Sequence, residues 1–125
     1  MENRILVPTF ERVDSRGVFT EVLNNGKWES LIHGHMKKDT VIGNHYHKKT
    51  TVFFFLTRGS AQINTVHVRN GEKSQYRIDS HQGIILLTNE SHSIRFLEDS
   101  EFIILKSLRY DPANPDTFAH PVVEA

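Results

Sequence analysis

GNHYHKKTTVFFFLTRG (Gly43 to Gly59) holds a His-x-His pair, two lysines, an apolar run and a closing glycine. In the run, Val52, Phe54 and Leu56 alternate with Phe53 and Phe55. A strand that is apolar on both faces is covered on both sides, by a second sheet or by a second subunit. In NHYH, His45 and His47 point to one side, with Cα atoms about 7 Å apart at strand rise. Both imidazoles can then converge on one ion at about 2.1 Å from each nitrogen.

Working outward, the rest of the chain also reads as short strands. They are expected at 5–7, 18–23, 30–36, 44–47, 51–57, 60–68, 73–79, 83–87, 92–97 and 100–107. The segments NNGK, RGS, RNGEK, SHQG, TNES and LEDS separate them with Gly, Asn, Ser and Asp. Strands this short and this closely spaced indicate an all-β sandwich or barrel. No apolar period of 3.6 residues runs beyond about two turns, so helix is marginal. The tail RYDPANPDTFAHPVVEA carries three of the four prolines and reads as an extended arm. The expected organisation is one domain over 1–125, with a barrel at about 15–108 and the arm at 109–125.

In HSIRFL, His92 alternates in phase with Ile94 and Phe96, which places it inside the barrel with the core residues. His33 and His35 form a second same-face pair, and the sequence leaves open which face they take. His67, His81 and His120 lie near turns or in the tail and are expected to be solvated.

Composition narrows the function classes. The chain has 125 residues with Lys+Arg and Asp+Glu both at 15, a formal net charge of zero. That removes the basic footprint of a nucleic-acid binder or a membrane-surface protein. No apolar run approaches the roughly 18 residues of a membrane span, and MENRILVPTF lacks a signal-peptide core, so a cytoplasmic protein is expected. With no cysteine, there is no disulfide, thiolate nucleophile or thiolate ligand.

The order GNHYH, phenylalanine-rich strand, Gly59 and then His92, about 45 residues after the histidine pair, resembles the two motifs of the cupins. Those are double-stranded β-helix barrels, jelly-roll-like, whose interior holds a metal or substrate. DSRGVFTEVL (Asp14 to Leu23) is similar to a stretch of dTDP-4-dehydrorhamnose 3,5-epimerase-type enzymes. YDPANPDTF (Tyr110 to Phe118) is similar to the end of the cupin domain in capsular-polysaccharide enzymes that epimerise a UDP-4-keto sugar.

The resemblance implies epimerisation or ketone isomerisation of a nucleotide-linked keto-deoxysugar by proton transfer beside the carbonyl, in deoxysugar or polysaccharide synthesis. Such chemistry needs a base near neutral pKa, for which His45 and His47 are the candidates. Arg16 and Glu21 are implied as substrate contacts, Arg16 on the phosphates, where a guanidinium fork fits. Tyr46 and Lys48 are further substrate-binding candidates, although alternation turns Tyr46 away from the histidines. Lys48 is otherwise a solvated turn residue.

His45, His47 and His92 are the implied ligands of one divalent metal (Zn, Fe, Mn or Ni), with His35 as a fourth if its strand faces inward. A metal-free site is the other reading, because the motif's glutamate position is Val52 and only His92 survives from the second motif. The expected partners are a small nucleotide-sugar substrate and a second copy in a homodimer. Two other readings remain: a three-histidine metal enzyme of dioxygenase or decarboxylase type, and a non-catalytic sugar-nucleotide-binding module.

Overall fold

The computed structural model describes residues 4–122, so the ends of the expected domain (1–3) and of its arm (123–125) lie outside the described residues. Twelve strands follow one another without a helix among them: β1 (Ile5–Leu6), β2 (Phe10–Asp14), β3 (Gly17–Glu21), β4 (Ser30–Met36), β5 (Val41–Tyr46) and β6 (Val52–Arg58) lead. β7 (Ser60–His67), β8 (Lys73–Asp79), β9 (Gln82–Leu86), β10 (Glu90–Phe96), β11 (Ser100–Lys106) and β12 (Phe118–Ala119) complete the order. No helix is long and apolar enough to cross a membrane.

Two five-stranded antiparallel sheets build the barrel, in the orders β1-β9-β6-β11-β4 and β12-β5-β10-β7-β8. Between them lies the core expected from period-two alternation. Val52, Phe54 and Leu56 of β6 meet Ile84, Leu86 and Phe102 from their own sheet and Ile63, Ile78, Ile94 and Phe96 from the other. Phe54, Phe96 and Phe102 form an aromatic centre, with ring centroids 5.3–6.2 Å apart. Each such ring taken from water contributes about 1.5–3 kcal/mol.

The opposite face of β6 is also covered within the chain. Phe53 and Phe55 are 1% and 2% exposed, stacked on each other, with Trp28 against Phe53 and His81 against Phe55. A subunit interface built on these two rings is therefore excluded. The chain's own elements bury them first.

Two strands have no counterpart in the expectation. FERVD (β2) is exposed along its whole length and pairs only with β3, so it lacks the apolar alternation by which a strand is read. β12 is only two residues long, set in a proline-rich arm. The arm nevertheless docks: Phe118 and Ala119 pair with Tyr46 and His45 of β5.

Candidate active site

The local backbone of β5 decides where the histidines go. His45 pairs with His92, yet Gly43 pairs with Ser93, so Asn44 is an extra residue in the ladder. Gly43 and Asn44 both have positive φ, 100° and 59°. Without this bulge, Ile42 and His45 would face opposite sides; with it, both face inward. A Cβ on Gly43 would lie 2.6 Å from the carbonyl oxygen of His92. Gly43→Ala therefore combines backbone strain of about 1–3 kcal/mol with displacement of His92. The expected result is a melting temperature lower by roughly 5–10 °C, read by circular dichroism, and an unchanged value would contradict the bulge's role.

The three histidines meet inside the barrel mouth. Ring centroids are 5.1 Å apart for His45 and His47, 4.8 Å for His45 and His92, and 5.7 Å for His47 and His92. One nitrogen from each lies within 4.8 Å of the others, the sole such cluster among the described residues. They line a chamber of about 120 Å³ whose apolar walls include Ile42, Val52, Phe54 and Ile94. At about 30 Å³ per water, that is room for roughly four waters or one edge of a sugar ring. A vestibule of about 310 Å³ adjoins it and shares His47 and Lys106 with it; Lys49, Arg109 and Tyr110 also line it.

The surroundings keep these imidazoles neutral. Burial, the neighbouring His47 and Lys106 together push His45 down to about 4, against the Gly43 carbonyl. Burial with His45 and His47 pushes His92 down to about 3. Burial lowers His47 as well, opposed by a hydrogen bond to the backbone carbonyl of Asp116. That bond, 2.6 Å from Nδ1, identifies the tautomer. A carbonyl only accepts, so Nδ1 carries the proton and Nε2 keeps its lone pair.

Asp116 holds this corner in a second way. Its carboxylate accepts the N–H groups of Lys48, Lys49 and Thr50 and the Thr50 hydroxyl, at 2.8–2.9 Å. Partial burial raises its pKa, but these donors outweigh burial and hold it below the ordinary value. A carboxyl depressed in the folded state adds stability above the unfolded pKa of about 3.9, lost as pH falls through the folded value. Urea unfolding below about pH 4 should therefore lose stability more steeply in the wild type than in Asp116→Asn. Equal slopes would remove the carboxylate's share.

The other expected site residues are elsewhere. Tyr46 points to the opposite face and packs under the arm against Phe118 and His120, so His120 is half-buried rather than solvated. The Lys48 ammonium lies 4.4 Å over the Phe118 ring. His35 does not join the trio. Gly34 faces the Phe102 ring inside, so its neighbours His33 and His35 are turned outward, His35 beside Glu101. Arg16 sits at the tip of the β2–β3 ribbon, paired with Asp14 at 2.7 Å, its side chain 80% exposed. Glu21 accepts from the Thr9 hydroxyl on the same ribbon. Within one chain neither reaches the histidines.

Two residues of the site were not singled out from sequence. Lys106 shares its face with Phe102 and Ile104, so alternation along SEFIILK places it inside, a signal that was available. Asp116 acts through backbone groups and leaves no comparable pattern.

Three imidazoles are a donor set that zinc or iron accepts. The charge of the site does not suit such an ion. No carboxylate lines the chamber, and the Lys106 ammonium does. The donor count fits a resident divalent metal and the electrostatics do not.

Against known proteins, the sequence matches the family described as the polysaccharide biosynthesis C-terminal domain over residues 12–118. No protein of curated function matches it. Among solved structures, it is similar to the capsular polysaccharide assembling protein CapF of Staphylococcus aureus. Identity there is 26% over 90% of this chain and 34% of that one, with a TM-score of 0.72. The chain thus spans about a third of that protein. dTDP-4-dehydrorhamnose 3,5-epimerase from Sulfolobus tokodaii is 22% identical over 88% of this chain and 73% of its own, TM-score 0.75. A 3,4-ketoisomerase from Helicobacter canadensis is 20% identical over 92% and 88%, TM-score 0.77. These last two show a common fold, the cupin barrel.

Proposed function

The chain belongs to the polysaccharide biosynthesis C-terminal domain family, and from that premise we propose that it epimerises or isomerises a nucleotide-linked keto-deoxysugar by moving a proton beside the carbonyl, in the cytoplasm. The observation that carries this reading is the trio of neutral imidazoles at the floor of an open barrel mouth. A general base must be unprotonated at working pH, and all three pKa values lie below the ordinary histidine value. His47 is assigned as the base, since its Nε2 lone pair is fixed by the bond from Nδ1–H to Asp116, and His45 stands beside it. The chamber takes the reacting edge of the sugar and the vestibule takes the remainder.

Proton abstraction here needs no resident metal. The dioxygenase-type reading would require one beside Lys106, and nothing in the site's charge favours it. Arg16 and Glu21 are assigned to a second copy's vestibule. Their ribbon stands outside its own barrel strands and exposes Phe10, Val13, Val18 and Phe19, apolar area that a homodimer would cover. Arg16→Ala should then raise KM about tenfold or more in a chain that sediments as a dimer. A monomer in sedimentation, or an unchanged KM, would remove this assignment.

The test of the reaction is product analysis. The purified chain is incubated with UDP- and dTDP-linked 4-keto-6-deoxy sugars and the products are read by proton NMR. New ring couplings or a moved ketone are expected for one of them. An unchanged panel in folded protein would overturn the reading.

A further inference from the structure

Val52 stands where the motif it resembles carries a glutamate, and its register partner on the neighbouring strand is Lys106. Partners on adjacent antiparallel strands project to the same face, and both side chains line the chamber. The wall that would present a negative charge thus presents a positive one, supplied from β11 instead of β6.

Lys106 is also free to act. None of the ion pairs among the described residues includes it. The acidic residues that share the vestibule are engaged elsewhere. Asp116 holds the 48–50 loop, Glu29 accepts the Arg109 N–H, and Asp111 accepts the Ala113 N–H. Across the chamber stands His92, 4% exposed.

We propose that Lys106 is a catalytic residue of this chain, its ammonium holding the oxyanion of the enolised keto sugar where the resembled motif would hold a metal. This rests on the keto-sugar reading. In the step itself, the C–H bond beside the carbonyl breaks and the proton passes to imidazole Nε2 of His47. The electron pair forms the carbon–carbon double bond, and the carbonyl oxygen takes the negative charge against Lys106. For epimerisation, the same carbon takes a solvent proton on the opposite face, the oxyanion collapses to the carbonyl and His47 gives its proton to solvent. For ketone migration, the neighbouring hydroxyl passes its proton to the oxyanion and becomes the new carbonyl, while the former carbonyl carbon takes the proton from His47. Neither route needs an oxidant or cofactor. A fixed cation aimed at a developing oxyanion in a desolvated pocket is worth about 10²–10³ in rate.

Two measurements on the 125-residue chain decide it, with circular dichroism to show that each variant is folded. The first is zinc affinity by calorimetry for wild type, Lys106→Met and Lys106→Glu. Restoring a carboxylate beside three imidazoles should tighten zinc binding at least about tenfold over wild type, with the methionine variant between. Equal affinities would place the Lys106 charge outside the site and overturn the proposal. The second is the steady-state rate of solvent-deuterium exchange into the keto sugar. Lys106→Met should lower kcat about 100-fold with KM within threefold, and Lys106→Arg should recover part of it. A loss confined to KM would make Lys106 a phosphate anchor and overturn the catalytic role. If wild type exchanges no proton from any substrate, the keto-sugar reading and the catalytic role fail together. The zinc comparison then still reports whether the chamber is built against a metal.

Discussion

His47→Ala should leave a folded protein that exchanges substrate protons at least about 100-fold more slowly than wild type, the lower end for removing a general base. The size of the effect follows from the position of the ring. His47 is the histidine common to the chamber and the vestibule, so a substrate spanning both must pass it. Its proton is committed to the Asp116 carbonyl, which leaves one nitrogen for chemistry. Folding should tolerate the change, since the ring contributes one hydrogen bond to a backbone carbonyl, about 1 kcal/mol. His45→Ala should also slow exchange, because His45 touches both other rings. Rates within threefold of wild type in both variants would leave the histidines as structural remnants. Unfolding of either would have the same meaning.

Phe54→Ala should cost about 3–5 kcal/mol of stability, the largest loss expected from any single truncation in this core. Phe54 is fully buried and lies within 6.2 Å, ring to ring, of both Phe96 and Phe102. Those rings come from β10 and β11, one in each sheet, so the cavity opens where the sheets are joined. Phe54 also forms part of the chamber wall, so activity should fall with stability even where the variant stays folded. Urea unfolding reads the first effect directly. A loss under about 1 kcal/mol would mean that the aromatic centre relaxes to fill the space.

Most of the barrel was legible because its strands are half-buried or buried and so carry a period of two. Ten strands were expected, and each lies within a few residues of an observed one. β2 escaped because a ribbon in solvent needs no apolar face, and its charges read as loop. For β5, the start at Val41 was missed because a bulge at Gly43 and Asn44 breaks the alternation exactly where the histidines begin. The trio itself could be read, since His45 and His47 share parity with each other and His92 with Ile94. His35 could not be placed, because the parity of a strand fixes its faces only relative to one another. Gly34 under the Phe102 ring is what orients it. Arg16 and Glu21 carry a recognisable motif, but sequence says nothing of which barrel a ribbon serves.

In the proposed reaction the histidine pair moves a proton on carbon. The measurement that reaches it most directly is solvent deuterium uptake, read by mass spectrometry, from a panel of UDP- and dTDP-4-keto-6-deoxy sugars mixed with the pure protein in D₂O. Uptake of one or more deuterons into at least one sugar is expected, above the protein-free control and lost in His45→Ala and His47→Ala. Uptake that persists in both variants, or none from any sugar with folded wild type, would contradict it.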